Sequence, residues 1–138
     1  MNRIADIALV VREYDEAIAF YVGVLGFSLL EDTDLGGGKR WVRVAPPSDE
    51  GAAQADAGTA LLLARAVTPE QAQRIGNQTG GRVFLFIHTE DFDLDYAALV
   101  AKGVEFVRGP TDEAYGRVAV FLDLYGNKID LIGKRLES

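Results

Sequence analysis

Asp6-Ile7-Ala8-Leu9-Val10-Val11, followed by Asp15-Glu16-Ala17-Ile18-Ala19-Phe20-Tyr21, decides how the chain is read, because its pattern returns in the second half. The first run is short, apolar and rich in β-branched residues, the mark of a buried strand. Beyond it a helix opens at Tyr14-Asp15, with Asp15 as its cap and Ala17, Ile18, Tyr21, Val22 and Leu25 at helical spacing. Gly26 ends it. Arg82-Val83-Phe84-Leu85-Phe86-Ile87 then repeats the strand, and a helix over 93–102, stopped by Gly103, repeats the helix. Laid over each other, the halves set Asp6 on Arg82, Asp15 on Asp91, Ile18 on Leu94 and Phe20 on Tyr96. Gly58-Thr59-Ala60-Leu61-Leu62-Leu63 matches Gly126-Asn127-Lys128-Ile129-Asp130-Leu131. Such self-similarity predicts a duplicated supersecondary unit.

Working outward, strands are predicted over 27–30, 40–44 and 59–64 in the first half, and over 104–107, 117–123 and 128–132 in the second. Gly36-Gly37-Gly38, Gly109-Pro110 and Gly126-Asn127 read as turns. A polar, Ala- and Gly-rich loop is expected from Ser48 to Gly58. Residues 67–81 form the linker, with a short helical turn over 69–74. The expected fold is α+β: two βαβββ modules, 1–66 and 82–138, forming a curled mixed sheet around a cavity within one domain of residues 1–138.

Composition narrows the function. A chain of 138 residues, 49% of them apolar, is long enough to bury roughly two-thirds of its unfolded surface. A net charge of −7 leaves no basic stripe for nucleic acid, and reads either as a field that favours cationic ligands or as a surface that serves only solubility. The absence of cysteine excludes disulfides, thiolate zinc sites and cysteine nucleophiles, and fits a reducing compartment. Charges in Met1 to Asp6 fall where a signal peptide needs an apolar run, and no stretch nears the ~20 apolar residues of a membrane span. A cytoplasmic protein, off the membrane, is expected.

Strand alternation assigns faces. Ile7, Leu9 and Val11, with Val83, Leu85, Ile87, Ile129 and Leu131, point to the helices. Asp6, Ala8 and Val10, with Arg82, Phe84, Phe86, His88, Lys128 and Asp130, point to the concave side. Charges on an apolar concave face are costly unless paired or wet, so Asp6, Arg82 and Asp130 mark a ligand cavity. Asp130 reads either as a general base, raised by burial, or as the partner of Arg82 or Lys128. Arg82 reads as a fork for a ligand's carboxylate or phosphate, or as an ion-pair partner of Asp6. Trp41 and Arg43 share one strand face, and Trp41 reads as lining the cavity mouth, a dimer seam or the core, the cavity mouth being the expectation. Tyr115 belongs either to a lid or to an exposed turn. His88, the only histidine, is either an acid–base group or hydrogen-bonded to a helix start. Asp91-Phe92-Asp93-Leu94-Asp95 opens like a calcium loop, but Tyr96 and Lys102 stand where glycine and glutamate are required.

The opening stretch, with Leu25-Gly26-Phe27, resembles the first module of the glyoxalase, bleomycin-resistance and extradiol-dioxygenase superfamily (the vicinal oxygen chelate, or VOC, proteins). Asp123-Leu124-Tyr125-Gly126-Asn127-Lys128-Ile129-Asp130-Leu131 resembles its closing strand motif. The resemblance implies a small-molecule cavity and a homodimer. Metal-dependent members place ligands at four equivalent positions, which here carry Asp6, Leu62, Arg82 and Asp130. Leu62 offers no donor and Arg82 would repel a cation. The expectation is therefore a small-molecule-binding protein without a cofactor, its ligand-binding residues Asp6, Trp41, Arg43, Arg82, Phe84, Tyr115 and Lys128. The alternative is a lyase, isomerase or dioxygenase, either metal-free with Asp130 as catalytic base or using a divalent metal held by Asp6 and Asp130.

Overall fold

Two four-stranded sheets, each with its own helix, carry the architecture. The computed structural model describes residues 1–47 and 58–135, so the loop expected over 48–58 lies, apart from Gly58, outside the described residues. Two compact units result, Met1–Ile75 and Gly76–Ser138.

In the first unit, β1 (Asp6–Val11) leads to α1 (Tyr14–Ile18) and a π-helical turn (Ala19–Val24). β2 (Ser28–Gly36), β3 (Lys39–Ala45), β4 (Ala60–Arg65) and the short α2 (Pro69–Ala72) follow. The second unit repeats the plan with β5 (Val83–His88), α3 (Phe92–Ala101), β6 (Phe106–Glu113), β7 (Gly116–Leu122) and β8 (Lys128–Gly133). Sheet orders are β1-β4-β3-β2 and β5-β8-β7-β6, with a parallel pair at β1/β4 and β5/β8 and antiparallel pairs elsewhere.

Alternation explains what is buried. Leu9, Val11, Val42 and Val44 are 0% exposed and share one face with Leu63, covered by Ala17 and Tyr21 from the helical segment. In the second unit Ala119, Phe121, Ile129 and Leu131 form the matching layer, and a ring ladder Tyr96–Phe106–Phe121 (4.6 and 5.5 Å) ties α3 to it. Burying such side chains stabilises by roughly 1.5–3 kcal/mol each relative to exposure.

Several local expectations are corrected. Glu13, not Asp15, is the N-cap of α1 and makes no side-chain cap bond. Asp15 instead sits in the first turn and meets Arg40. The helix does not continue regularly to Leu25 but widens, with Leu25 N–H bonded to the Phe20 carbonyl five residues back (2.9 Å), before Gly26 turns at φ 80°. Gly109-Pro110 is not a turn. Both lie inside β6, an edge strand, at a break in its register with β7, where a residue lacking N–H is tolerated.

The repeat also runs in a different register from the one the sequence suggests. Ile7 pairs with Leu61 as Leu85 pairs with Ile129, and Tyr14 opens α1 as Phe92 opens α3. Asp6 therefore corresponds to Phe84, not to Arg82. The strand pairing and the helix starts agree on this register, and a register irregularity between Val83 and Leu85 interrupts the match at the beginning of β5.

Candidate functional site

On each sheet the face away from the helix carries one cross-strand row of chemistry. In the first unit the row runs Ala8, Leu62, Arg43, Glu31, and in the second Phe86, Asp130, Val120, Arg108. Equivalent positions thus hold Leu62 and Asp130, and Arg43 and Val120.

Arg43 is 7% exposed, and its Nε donates to Asp6 Oδ1 at 2.7 Å. The cation expected to hold Asp6 was Arg82; the sheet supplies Arg43 instead. Arg82 lies just before β5 and borders, with Lys128, a crevice of only about 30 Å³. Both are exposed, and neither is in an ion pair among the described residues.

Asp130 is 8% exposed, and its Oδ1 has no hydrogen-bond partner among the described residues. The expected pairing with Arg82 or Lys128 is therefore not made. Burial pushes its carboxyl above the usual value, offset in part by the Arg108 charge. Arg108 stands on the same face two strands away and is engaged with Glu113. Beside Asp130 on β5, Phe86 is 58% exposed, an apolar ring open to a ligand. Phe84 is half-buried, and the register irregularity puts Val83 rather than Phe84 opposite Lys128.

Trp41 lines a cavity of about 430 Å³ in the first unit, beside Val10, Leu62 and Ala64. In the second unit a cavity of about 530 Å³ is lined by His88, Glu90, Tyr115, Ile132 and Lys134. Tyr115 stands 66% exposed in the β6–β7 hairpin. His88 does not serve the helix start. Asp91 Oδ1 accepts from Leu94 N–H (3.1 Å), and Thr89 Oγ1 accepts from Asp91 N–H (3.0 Å).

Two clamps escaped the sequence reading. The Arg40 guanidinium lies 5.1 Å from the Tyr14 ring centre and binds Asp15 (2.8 Å) and Asp32 (2.7 Å). Arg117 lies 5.4 Å from the ring centre of Phe92, with Asp93 at 3.5 Å and Asp112 at 3.3 Å. The signal was present in the repeat, an aromatic followed by aspartate at each helix start, but only in the corrected register.

A metal fits poorly at the four equivalent positions. Asp6 is neutralised by a buried guanidinium, Leu62 beside it has no donor atom, and the place matching Asp6 in the second unit is Phe84. Among the described residues no group of three or more His, Asp or Glu side chains lies close enough to hold a metal ion.

Residues 3–131 match the Glyoxalase/Bleomycin resistance protein/Dioxygenase superfamily. An uncharacterized protein of Shewanella frigidimarina is 55% identical over 130 residues, covering 94% of this chain and 91% of that one. Among solved structures, UcmS2 is 28% identical with a TM-score of 0.78, covering 96% of this chain and 98% of its own. TnmS3, an antibiotic binding protein from Streptomyces sp. CB03234, is 32% identical with a TM-score of 0.73, covering 97% of each chain.

Proposed function

We propose that this chain, which belongs to the glyoxalase/bleomycin resistance protein/dioxygenase superfamily, binds and sequesters a flat, largely apolar small molecule without using a metal. The carrying observation is the orphaned Oδ1 of buried Asp130 beside the open ring of Phe86. A buried acceptor without a donor is costly, and a ligand O–H or N–H relieves that cost while its ring system lies on Phe86. The likeness to TnmS3, described as an antibiotic binding protein, supports a small-molecule ligand. The protein acts in the cytoplasm as a homodimer, a reading supported by its lack of cysteine and by exposed Ile7 and Phe86 on the edge strands β1 and β5.

A second reading is favoured by the raised carboxyl of Asp130: metal-free proton transfer of a lyase or isomerase, with Asp130 as base. Equilibrium dialysis with two flat polycyclic compounds, doxorubicin and mitoxantrone, on the parent and on Asp130→Leu, tests the binding reading. The parent retains at least one compound and the variant loses it. Equal retention by both proteins rejects Asp130 as the ligand acceptor, and retention by neither rejects sequestration of this class. Turnover of a bound compound instead moves the assignment to the enzymatic reading.

A further inference from the structure

The 430 Å³ cavity of the first unit gathers three basic side chains in a chain of net negative charge. The whole chain carries −7, yet Lys39, Arg40 and Arg65 all line this cavity and no carboxylate does. Arg40 is already committed to Asp15 and Asp32. Arg65 has only a loose contact with Glu13, at 3.8 Å, and reaches over the Tyr14 ring at 5.8 Å. Lys39 is exposed and in no ion pair among the described residues. The rest of the lining is apolar or aromatic: Trp41, Leu62, Leu63, Ala64, Val10. The corresponding cavity of the second unit lacks this bias, because Glu90 stands there beside Lys134 and His88.

We propose that the cavity of residues 1–75 is a binding site for a small aromatic carboxylate, its ring against Trp41, Leu62 and Ala64 and its anionic group toward Lys39 and Arg65. The volume falls within the range of small-molecule pockets, and a single aromatic ring with a short acidic side chain fits inside it. The Debye length near physiological salt is about 8 Å, so distant surface acids are screened; of the near ones, Asp15 and Asp32 take up Arg40 and Glu13 meets Arg65 loosely, which leaves Lys39 as the cation a ligand's anion meets first. This site stands on its own lining and does not depend on the Asp130 reading.

Three ligands that share one skeleton and differ in charge test it: cinnamate, cinnamyl alcohol and cinnamylammonium, titrated by calorimetry and followed by the fluorescence of Trp41, the single tryptophan. Cinnamate is expected to bind about tenfold more tightly than the alcohol, with the ammonium weaker still, and to change the Trp41 emission. Lys39→Met, at an exposed position, removes most of that advantage and leaves the affinity of the alcohol unchanged. Equal or tighter binding of the alcohol or the ammonium overturns the charge assignment. Failure of all three to bind overturns the site itself while leaving the doxorubicin and mitoxantrone dialysis unaffected. A Lys39→Met protein that keeps the full preference removes Lys39 from the site and overturns the proposal as stated.

Discussion

Single residues set the chemistry, and the two buried charges behave in opposite ways. Arg43 and Asp6 satisfy each other at 2.7 Å, so removing the cation leaves the part-buried carboxylate of Asp6 without its partner. Arg43→Met is expected to destabilise by about 3 kcal/mol, and the double change Asp6→Leu with Arg43→Met to recover most of that, because breaking a buried pair costs more than replacing it. Urea melts of the three proteins check this. Asp130, lacking such a partner, already carries its penalty. Its folded carboxyl is raised by burial, so near neutral pH the ionised form costs stability, and that cost fades as pH falls through the folded value toward the unfolded value of 3.8. Asp130→Leu, which copies Leu62 in the first unit, should melt higher than the parent at pH 7, with the gap shrinking at pH 4. A gap that is constant or widens at low pH contradicts the burial argument.

At the scale of elements, α3 and β8 approach closely at Gly133. A Cβ placed on Gly133 would stand 2.7 Å from Phe92 Cβ. Gly133→Ala must displace the first residue of α3, so a loss of about 1–3 kcal/mol is expected, read as a lower melting temperature. The clamps act at the same helix starts. Arg40 holds Asp32 well below the usual carboxylate range through their hydrogen bond, so the stability it lends is present above pH 3.8 and is lost as pH falls through the lowered value. Because these side chains are partly exposed, Arg40→Met should cost only about 1 kcal/mol at neutral pH. Element type and order were legible in the sequence because hydrophobic period and glycine stops depend on local chemistry. The β6 bulge, the π-helical turn and the Val83/Leu85 irregularity were not, since each is a response to packing and register that adds or drops a residue without leaving a composition signal.

For the whole molecule, the duplicated plan was legible and its alignment was not, and the error carried through to the site. Matching Asp6 with Arg82 produced an ion pair that the structure replaces with Asp6–Arg43. Asp130, by contrast, was correctly placed on the helix-free face, because alternation along β8 is unbroken. The homodimer reading predicts a light-scattering mass of two chains at micromolar concentration, and a mass of one chain would remove it.

The two faces of the repeat have diverged unequally. On the helix side, Leu9 and Ile87, Leu63 and Leu131, Val42 and Ala119, and Val44 and Phe121 stay apolar in both halves. On the other side, Ala8 corresponds to Phe86 in the repeat, Val10 to His88, Leu62 to Asp130 and Arg43 to Val120, with character exchanged at almost every position. A strand of this fold therefore carries two independent messages, one read by the core and one by the ligand. Variation confined to alternate residues can rewrite the second without touching the first, so a change of ligand need not wait for a change of fold.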